Sequence, residues 1–553
     1  MTFESAKVPD PLQVRAQAPE VGAGSWRFRT ASALAALGSW TAALITRYEA
    51  LFVSAAAAGC AFVQAWNSFR PLWFDELFTF FVSRLPDLDH MFRAMPADGN
   101  PPLYHLLARV SLRLLGETSF AVRLPSILAF TAAALAVYCF VRRRRGPVLA
   151  LFAMLALACS GMAKYGSEAR PYALLLAFTG LTLVSWQAAT EENRPRLMPL
   201  IGVALGIAGA IGSHHYGAVH VGVPLVLGEA VRLVKRRRFD WPLYCAGAAG
   251  LLMLFATMPF ASATHRLVLD YVKESASFWL KPTIWRVRSY GSMVCLWLPP
   301  AFLALLWLTK AAATPGGKAG QPASESQELP AHEVAAAVGL ALLVPIIISL
   351  TWFATGYYMN RYAIGTAMGI AILAGLAAPL FGRNRSHITG VAALCVILLG
   401  AGLFAPFASA GARAIIHRMV GSPSAGPKVD SVLDGEQGGE PIVVASALTY
   451  MPAWWYASPP LRERLHYLAD LPFAVRQPDF LPELGLVAGQ PFIPSKVDDY
   501  RQFLATHRRF LLYCTGSPRL EWVKERLLAE KWTLYLVRSL GTETLSLAEA
   551  PSP

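Results

Sequence analysis

Eleven apolar runs of roughly membrane-spanning length fill the first 407 residues of this chain, and no other feature restricts its fold as strongly. A helix needs about 20 predominantly apolar residues to cross the hydrocarbon core of a bilayer. The runs are Ala50–Trp66, Ala121–Val141, Pro147–Ala163, Pro171–Ala189, Leu197–Ser213, Gly217–Val234, Trp241–Phe260, Tyr290–Leu308, Val334–Phe353, Tyr362–Leu380 and Ile388–Phe407. Backbone polar groups find no water in lipid, so each run should be helical. The expected fold is therefore a polytopic α-helical membrane protein with about 11 transmembrane helices. Ala31–Ile45 is apolar but short and interrupted, and reads as an interfacial or cytoplasmic helix. The first 30 residues carry no apolar core of a signal peptide.

Composition agrees. Hydrophobic residues make up 55% and charged residues 15% of the 553, against about 25% charge in soluble chains. The net charge of +14 comes from 49 Lys+Arg and 35 Asp+Glu. Such an excess collects in cytoplasmic loops, so it does not call for nucleic acid. The seven cysteines are scattered, with no zinc-ligand or redox spacing.

Loop charge sets the orientation. Arg142–Arg145, Arg194 with Arg196, Lys235–Arg238 and Arg383 with Arg385 follow the second, fourth, sixth and tenth runs. All fall on one side, which is cytoplasmic by the positive-inside rule. The polar stretch Thr314–Pro330 is a linker on that side. The N-terminus is then inside and the C-terminus outside. Residues 1–48 form a cytoplasmic segment, 49–410 the membrane domain with a first outer loop at 67–102, and 411–553 an outer domain. In that tail, strand-like Pro441–Ala445, Arg509–Cys514, Trp532–Arg538 and Glu543–Leu547 alternate with helix-like Val497–His507 and Glu521–Lys531. The alternation predicts a small α/β layer.

The outer side carries polar residues that a membrane surface does not require. Arg70-Pro71-Leu72-Trp73-Phe74-Asp75-Glu76 places two acids after an aromatic pair at the exit of the first span. On its own this is also the pattern of a solvated interfacial turn. Ser83–Met95 reads as an amphipathic helix on the bilayer. In Asp98-Gly99-Asn100-Pro101-Pro102-Leu103-Tyr104-His105, Asn100 is placed to cap the helix that begins at the prolines. Arg123 enters the second span from outside. Lys164–Tyr172 places Glu168 and Arg170 at the start of the fourth, where a pair between them would by itself anchor the helix. Ionisable groups at membrane depth cost about 2.5–3.5 kcal/mol, so they have a partner or a task. His214 and His215 end the fifth span, and hydrogen bonding there is favoured over metal binding. Tyr358 and Arg361, in the segment Gly356–Tyr362, lead into the tenth. A positive charge on the outer side points to an anionic ligand.

A sugar carried on polyprenyl phosphate would use all these parts. Its tail needs apolar helices, its phosphate an arginine fork, and transfer to a hydroxyl a carboxylate base.

The ordered segments WFDE, NPPLYH, VRLPS, GSEARPYAL, HHYG and NRYAI resemble those of the polytopic glycosyltransferases of the GT-C fold. The closest resemblance is to bacterial family-39-like enzymes, relatives of protein O-mannosyltransferases and of the lipid A aminoarabinose transferase. The resemblance implies a polyprenyl-phosphate sugar donor, inversion at the anomeric carbon, and a glycan, lipid or protein acceptor. It puts Asp75 in the role of base, with Glu76 beside it. It places Glu168 and Arg170 in the donor cavity and Arg361, with Arg123, on the phosphate. Tyr104, His214, His215 and Tyr358 would line the substrate site. Relatives often carry His where this chain has Asn100, a poorer metal ligand, so a divalent metal is possible but not required. Usage rich in Ala, Arg and Gly suggests a bacterial inner membrane with the site facing the periplasm. A lipid-linked sugar transporter or a non-catalytic scaffold is the alternative. A transporter calls for charge at the bilayer midplane, where these spans have little.

Overall fold

A computed structural model of the chain describes residues 23–551, apart from 192–194, 273–287, 311–328, 352–357, 382–383, 421–431, 434–435, 437, 475–480 and 518–520. Most of the predicted linker, and Arg194, Arg383, Gly356 and Tyr357, lie outside the described residues.

The apolar runs fold as helices in chain order: α1 (Ala23–Arg47), α2 (Glu49–Asn67), α3 (Phe74–Arg84), α4 (Leu88–Asp98), α5 (Leu103–Leu115), α6 (Ser119–Ala158), α7 (Tyr172–Thr190), α8 (Leu197–Ser213), α9 (Gly217–Arg236), α10 (Trp241–Leu251), α11 (Met253–Val272), α12 (Tyr290–Met293), α13 (Leu298–Lys310), α14 (Ala331–Ala341), α15 (Leu343–Leu350), α16 (Gly365–Ala377) and α17 (Arg385–Val420). Among the described residues six helices are long and apolar enough to cross a membrane, and a seventh if the pair α14–α15, bent by 52°, counts as one. Three shorter apolar helices are Leu197–Ser213, Leu298–Lys310 and Gly365–Phe381. The second and third predicted runs share the 40 residues of α6, broken at Gly146 with φ 78°. Glycine takes that left-handed φ without the Cβ penalty, so the chain turns there, beside four arginines.

Two runs differ in extent from their reading in the sequence. The Ala31–Ile45 run belongs to a 25-residue helix, α1, which packs along α17. A Cβ on Gly38 would lie 2.6 Å from the Gly390 carbonyl oxygen, so the two backbones meet directly. The Tyr290–Leu308 run is broken into α12 and α13, where Pro299 and Pro300 sit at the start of the second piece, positions proline tolerates.

Buried charge ties the basic ends of the helices together. Arg144 reaches the fully buried Glu333 with Nη2–Oε1 at 2.5 Å, and Gln187 donates to the same carboxylate at 2.9 Å. Arg232 and Arg196 converge on Asp240.

The first outer loop, 67–102, contains two helices, α3 and α4, and leads into α5. The amphipathic Ser83–Met95 prediction corresponds to α4, N-capped by Asp87 accepting from the His90 backbone N–H at 2.9 Å. Pro101 and Pro102 lead into α5, with Pro102 at its N-cap.

The tail contains a six-stranded sheet of order β3-β2-β1-β4-β6-β5. Its strands are β1 (Ile442–Val444), β2 (Leu465–Ala469), β3 (Val497–Asp499), β4 (Arg509–Cys514), β5 (Thr533–Leu540) and β6 (Glu543–Glu549). The first four run parallel and the last two antiparallel. The residues Val497–Asp499, read as the start of a helix, form β3 instead, and the helix begins at Tyr500 with Asp499 as its cap. β1 is followed by α18 (Ala447–Tyr456). Trp454 and Trp455 of α18 pack on Phe80 and Phe81 of α3, with ring centroids 5.1–6.1 Å apart. The Leu72 backbone N–H donates to the Tyr456 hydroxyl at 2.6 Å. The tail is thereby fastened to the segment that precedes Asp75.

The α1–α17 contact can be tested directly. Gly38→Val forces a side chain against the Gly390 backbone, and overpacking of this kind costs about 1–3 kcal/mol. The variant should unfold at a lower temperature than the parent in detergent. Gly222→Ala, where a Cβ meets nothing within 4 Å, is the control and should lose no stability, since alanine favours a helix over glycine.

Candidate active site

The polar residues singled out on the outer side converge, in two layers. The deeper layer is built on Glu76 and Arg123, both fully buried. Glu76 is at the third position of α3 and accepts from the Trp73 backbone N–H at 3.2 Å. Arg123 donates from Nε to Glu76 Oε1 at 2.7 Å and from Nη2 to Oε2 at 2.5 Å. Its remaining N–H groups go to the carbonyls of Ser68 and Arg70, each at 2.6 Å, and of Pro71 at 3.0 Å. A guanidinium has five donors, and all five are used. The Ala169 backbone N–H donates to Glu76 Oε1 at 2.8 Å. Arg123, expected on the phosphate, and Glu76, expected beside the base, are thus both enclosed. Each is consumed by the other and by the backbone of both outer connections.

Tyr104 is likewise occupied. It is fully buried, donates to the Val122 carbonyl at 3.0 Å and meets Ser126 Oγ at 2.9 Å. Ser126 Oγ in turn donates to the Glu168 carbonyl at 2.5 Å. It supports the 168–170 turn instead of facing a substrate.

The upper layer surrounds Asp75, whose side chain is 17% exposed. Asp75 Oδ2 lies 3.1 Å from Arg361 Nη1 and 3.9 Å from Arg170 Nε. Arg170 does not pair with Glu168, as proximity in sequence suggested. Its Nη1 donates to Asp98 Oδ1 at 2.5 Å and to the Asp75 carbonyl at 3.2 Å. The Arg361 guanidinium lies over the Tyr172 ring at 5.4 Å. Tyr172, His214, Tyr216 and Tyr362 form an aromatic bed with centroid separations of 5.1–5.7 Å. His214 is buried in that bed and accepts from the Tyr216 N–H on Nδ1 at 3.1 Å, whereas His215 is exposed. Tyr358 is buried, with its hydroxyl 3.1 Å from Ser289 Oγ.

Glu168 is nearly buried and its Oε2 has no hydrogen-bond partner among the described residues. Oε1 is 4.0 Å from Arg70 Nη2. Burial first, then the Glu76 charge, pushes the carboxyl up to about 7, against the pull of Arg70, Lys164 and Arg361. Arg70 is 45% exposed and Lys164 is also exposed, so both form a basic rim.

Asp98 was not singled out in the sequence, although the motif Asp98–Asn100 was. Its side chain is 1% exposed. Asn100 Nδ2 donates to Asp98 Oδ2 at 2.9 Å, so the amide holds the acid as well as sitting before the prolines. Burial raises the Asp98 carboxyl, but Arg170 and then His105 outweigh it, and the balance lies below the ordinary carboxylate range. Among the described residues one trio, Asp87, Asp89 and His90, could reach a single metal ion. It is exposed at the start of α4, and His90 Nδ1 is already bonded to Asp87 at 2.8 Å.

The chain can now be set beside known proteins. Residues 99–261 match the family described as dolichyl-phosphate-mannose-protein mannosyltransferase. The matched stretch carries Asn100, Tyr104, Arg123, Glu168, Arg170 and His214, and it bears out the resemblance read from those motifs. Asp75, Asp98 and Arg361 lie outside it. No curated protein matches. Among solved structures, ArnT from Cupriavidus metallidurans bound to undecaprenyl phosphate is 16% identical, covering 91% of this chain and 98% of its own, with a TM-score of 0.47. The apo state of the same protein is 15% identical with a TM-score of 0.49, at the same coverage. An oligosaccharyltransferase from Archaeoglobus fulgidus is 11% identical, covers 75% of this chain and 62% of its own, and has a TM-score of 0.36.

The raised Glu168 carboxyl gives a pH signature. A carboxyl whose folded-state value lies near 7 rather than 4.5 contributes stability that is full below 4.5 and lost as pH rises through 7. Glu168→Gln should therefore gain on the parent in melting temperature as pH is raised from 5 to 8. Parallel melting curves at all pH values would show that Glu168 does not carry the shift.

Proposed function

We propose that the chain is an inverting membrane glycosyltransferase that moves a sugar from a polyprenyl-phosphate donor to a hydroxyl acceptor. The observation that carries this is the partly exposed Asp75 carboxylate 3.1 Å from Arg361, an acid and a phosphate ligand side by side at a span entrance. Asp75 is the base that takes the acceptor proton as the hydroxyl attacks the anomeric carbon. Arg361, with Nε unpartnered among the described residues, receives the departing phosphate and stabilises its growing charge. The basic rim of Arg70 and Lys164 draws the anionic donor in. Tyr172, Tyr216 and Tyr362 give Arg361 a rigid bed, which keeps its fork in one orientation. The match over residues 99–261 to a family named for a lipid-phosphate mannose donor supports the donor class.

We further infer eleven crossings, counting the two arms of α6 and the bent α14–α15 pair, in a bacterial inner membrane. The site and the α/β tail would then face the periplasm. A periplasm-active phosphatase reporter fused after Ser409 should be active, and a cytoplasm-active reporter at the same place silent. The reverse would put the site on the wrong face.

Asp75→Asn keeps the shape and removes the proton acceptor. Turnover of a polyprenyl-phosphate sugar by the purified variant should fall by roughly 10²–10⁴-fold with the melting temperature preserved. Wild-type turnover by this variant would end the assignment. Arg361→Lys should retain less than the parent, because the planar fork is lost.

A further inference from the structure

Four charged side chains meet at the upper layer: Asp75, Asp98, Arg170 and Arg361. Two carboxylates face two guanidinium groups, so an arriving phosphate has no spare cation in this group. One arginine has to leave its aspartate. The geometry is unequal. Arg361 holds Asp75 by a single Nη1–Oδ2 contact at 3.1 Å. Arg170 is committed to Asp98 at 2.5 Å, with further donation to the Asp75 carbonyl and to Thr79 Oγ1 at 3.4 Å. Its Nε is buried, unpartnered among the described residues, and stops 3.9 Å short of Asp75 Oδ2.

His105 does not relieve Arg170 of this duty. It is fully buried, neither ring nitrogen has a hydrogen-bond partner among the described residues, and Nε2 is 3.6 Å from Asp98 Oδ2. Burial pushes its imidazole down to about 4 despite the Asp98 charge, so it is neutral at pH 7. Asn100 offers Asp98 an amide but no charge. Arg170 is therefore the cation that balances Asp98.

We propose that Asp98 is a positioning residue: by holding Arg170 it leaves Arg361, not Arg170, as the guanidinium that passes from Asp75 to the donor phosphate. The exchange takes Arg361 off the Asp75 carboxylate at the moment the donor is seated, while Arg170 stays with Asp98. Without Asp98, Arg170 could close the 3.9 Å gap onto Asp75 or reach the phosphate itself. This inference rests on the phosphate role given to Arg361 above.

The test is suppression. Binding of undecaprenyl phosphate to the full-length protein is measured in phosphatidylcholine nanodiscs. Arg361→Ala should weaken it by roughly tenfold or more, the worth of one charge-assisted hydrogen bond. Adding Asp98→Asn frees Arg170, and the double variant should recover most of that loss. A purely structural role for Asp98 would lower the melting temperature and restore nothing. Should the Asn variant fail to unfold cooperatively, Asp98→Ser, which leaves room for water beside Arg170, replaces it. A folded double variant that binds no better than Arg361→Ala overturns the proposal. Parent-like binding by Arg361→Ala alone overturns both this inference and the assignment of Arg361. A parent protein that does not bind the lipid overturns the proposed donor class, and the inference with it.

Discussion

The buried pair between Glu76 and Arg123 is the interaction on which the half of the molecule that holds Asp75 depends. Taking two charges out of water costs several kcal/mol per ion, and their attraction offsets it only when every donor and lone pair is used. Here that condition is met. Arg123 spends its five N–H groups on one carboxylate and three carbonyls, and Glu76 adds the N–H groups of Trp73 and Ala169. The three carbonyls belong to residues 68–71, Trp73 begins α3, and Ala169 belongs to the second outer connection. One ion pair thus fixes the end of α2, the start of α3, the entrance to α6 and the turn before α7. Removing either partner strands a buried charge, at a cost of about 3–5 kcal/mol.

Asp75 inherits its position from that pair. It is adjacent to Glu76 on α3, and adjacent helical residues point about 100° apart. With Glu76 turned into the protein, Asp75 is turned toward the outer surface and toward Arg361. Two acids in succession therefore do different work because helix geometry separates them. The same division runs through the rest of the site. Tyr104 and Ser126 brace the 168–170 turn from below, so Glu168 and Arg170 can meet other chain segments above it.

Much of this was legible in the sequence, for reasons that differ by residue. The spans were visible because a bilayer imposes length and polarity on every crossing. The cluster of Asp75, Glu168, Arg170 and Arg361 was visible because charge at a span entrance is costly and so stands out. What was not visible was pairing. Arg170 lies two residues from Glu168, yet its partners are Asp98, 72 positions earlier, and Asp75, 95 positions earlier. Asp98 itself sat in a motif that helix capping and prolines explain well enough. Arg123 and Glu76 looked exposed because they flank spans, and only the packed structure shows that neither reaches the surface. The strand β2, Leu465–Ala469, was missed because five residues with a central His and Tyr carry little periodic signal, and β3 because three residues carry none.

The sequence distances across the site also impose an order of assembly. Arg170 follows Asp98 by 72 residues, but Arg361 follows Asp75 by 286, and Tyr456 follows Leu72 by 384. At a synthesis rate of 5–20 residues per second, Asp75 waits roughly 14–57 s for Arg361 to emerge. For most of that interval Arg170 and Asp98 are both already made and can pair. A contact that organises the finished site would also act as a placeholder on the ribosome. Asp75 then meets Arg361 late, before the tail reaches α3.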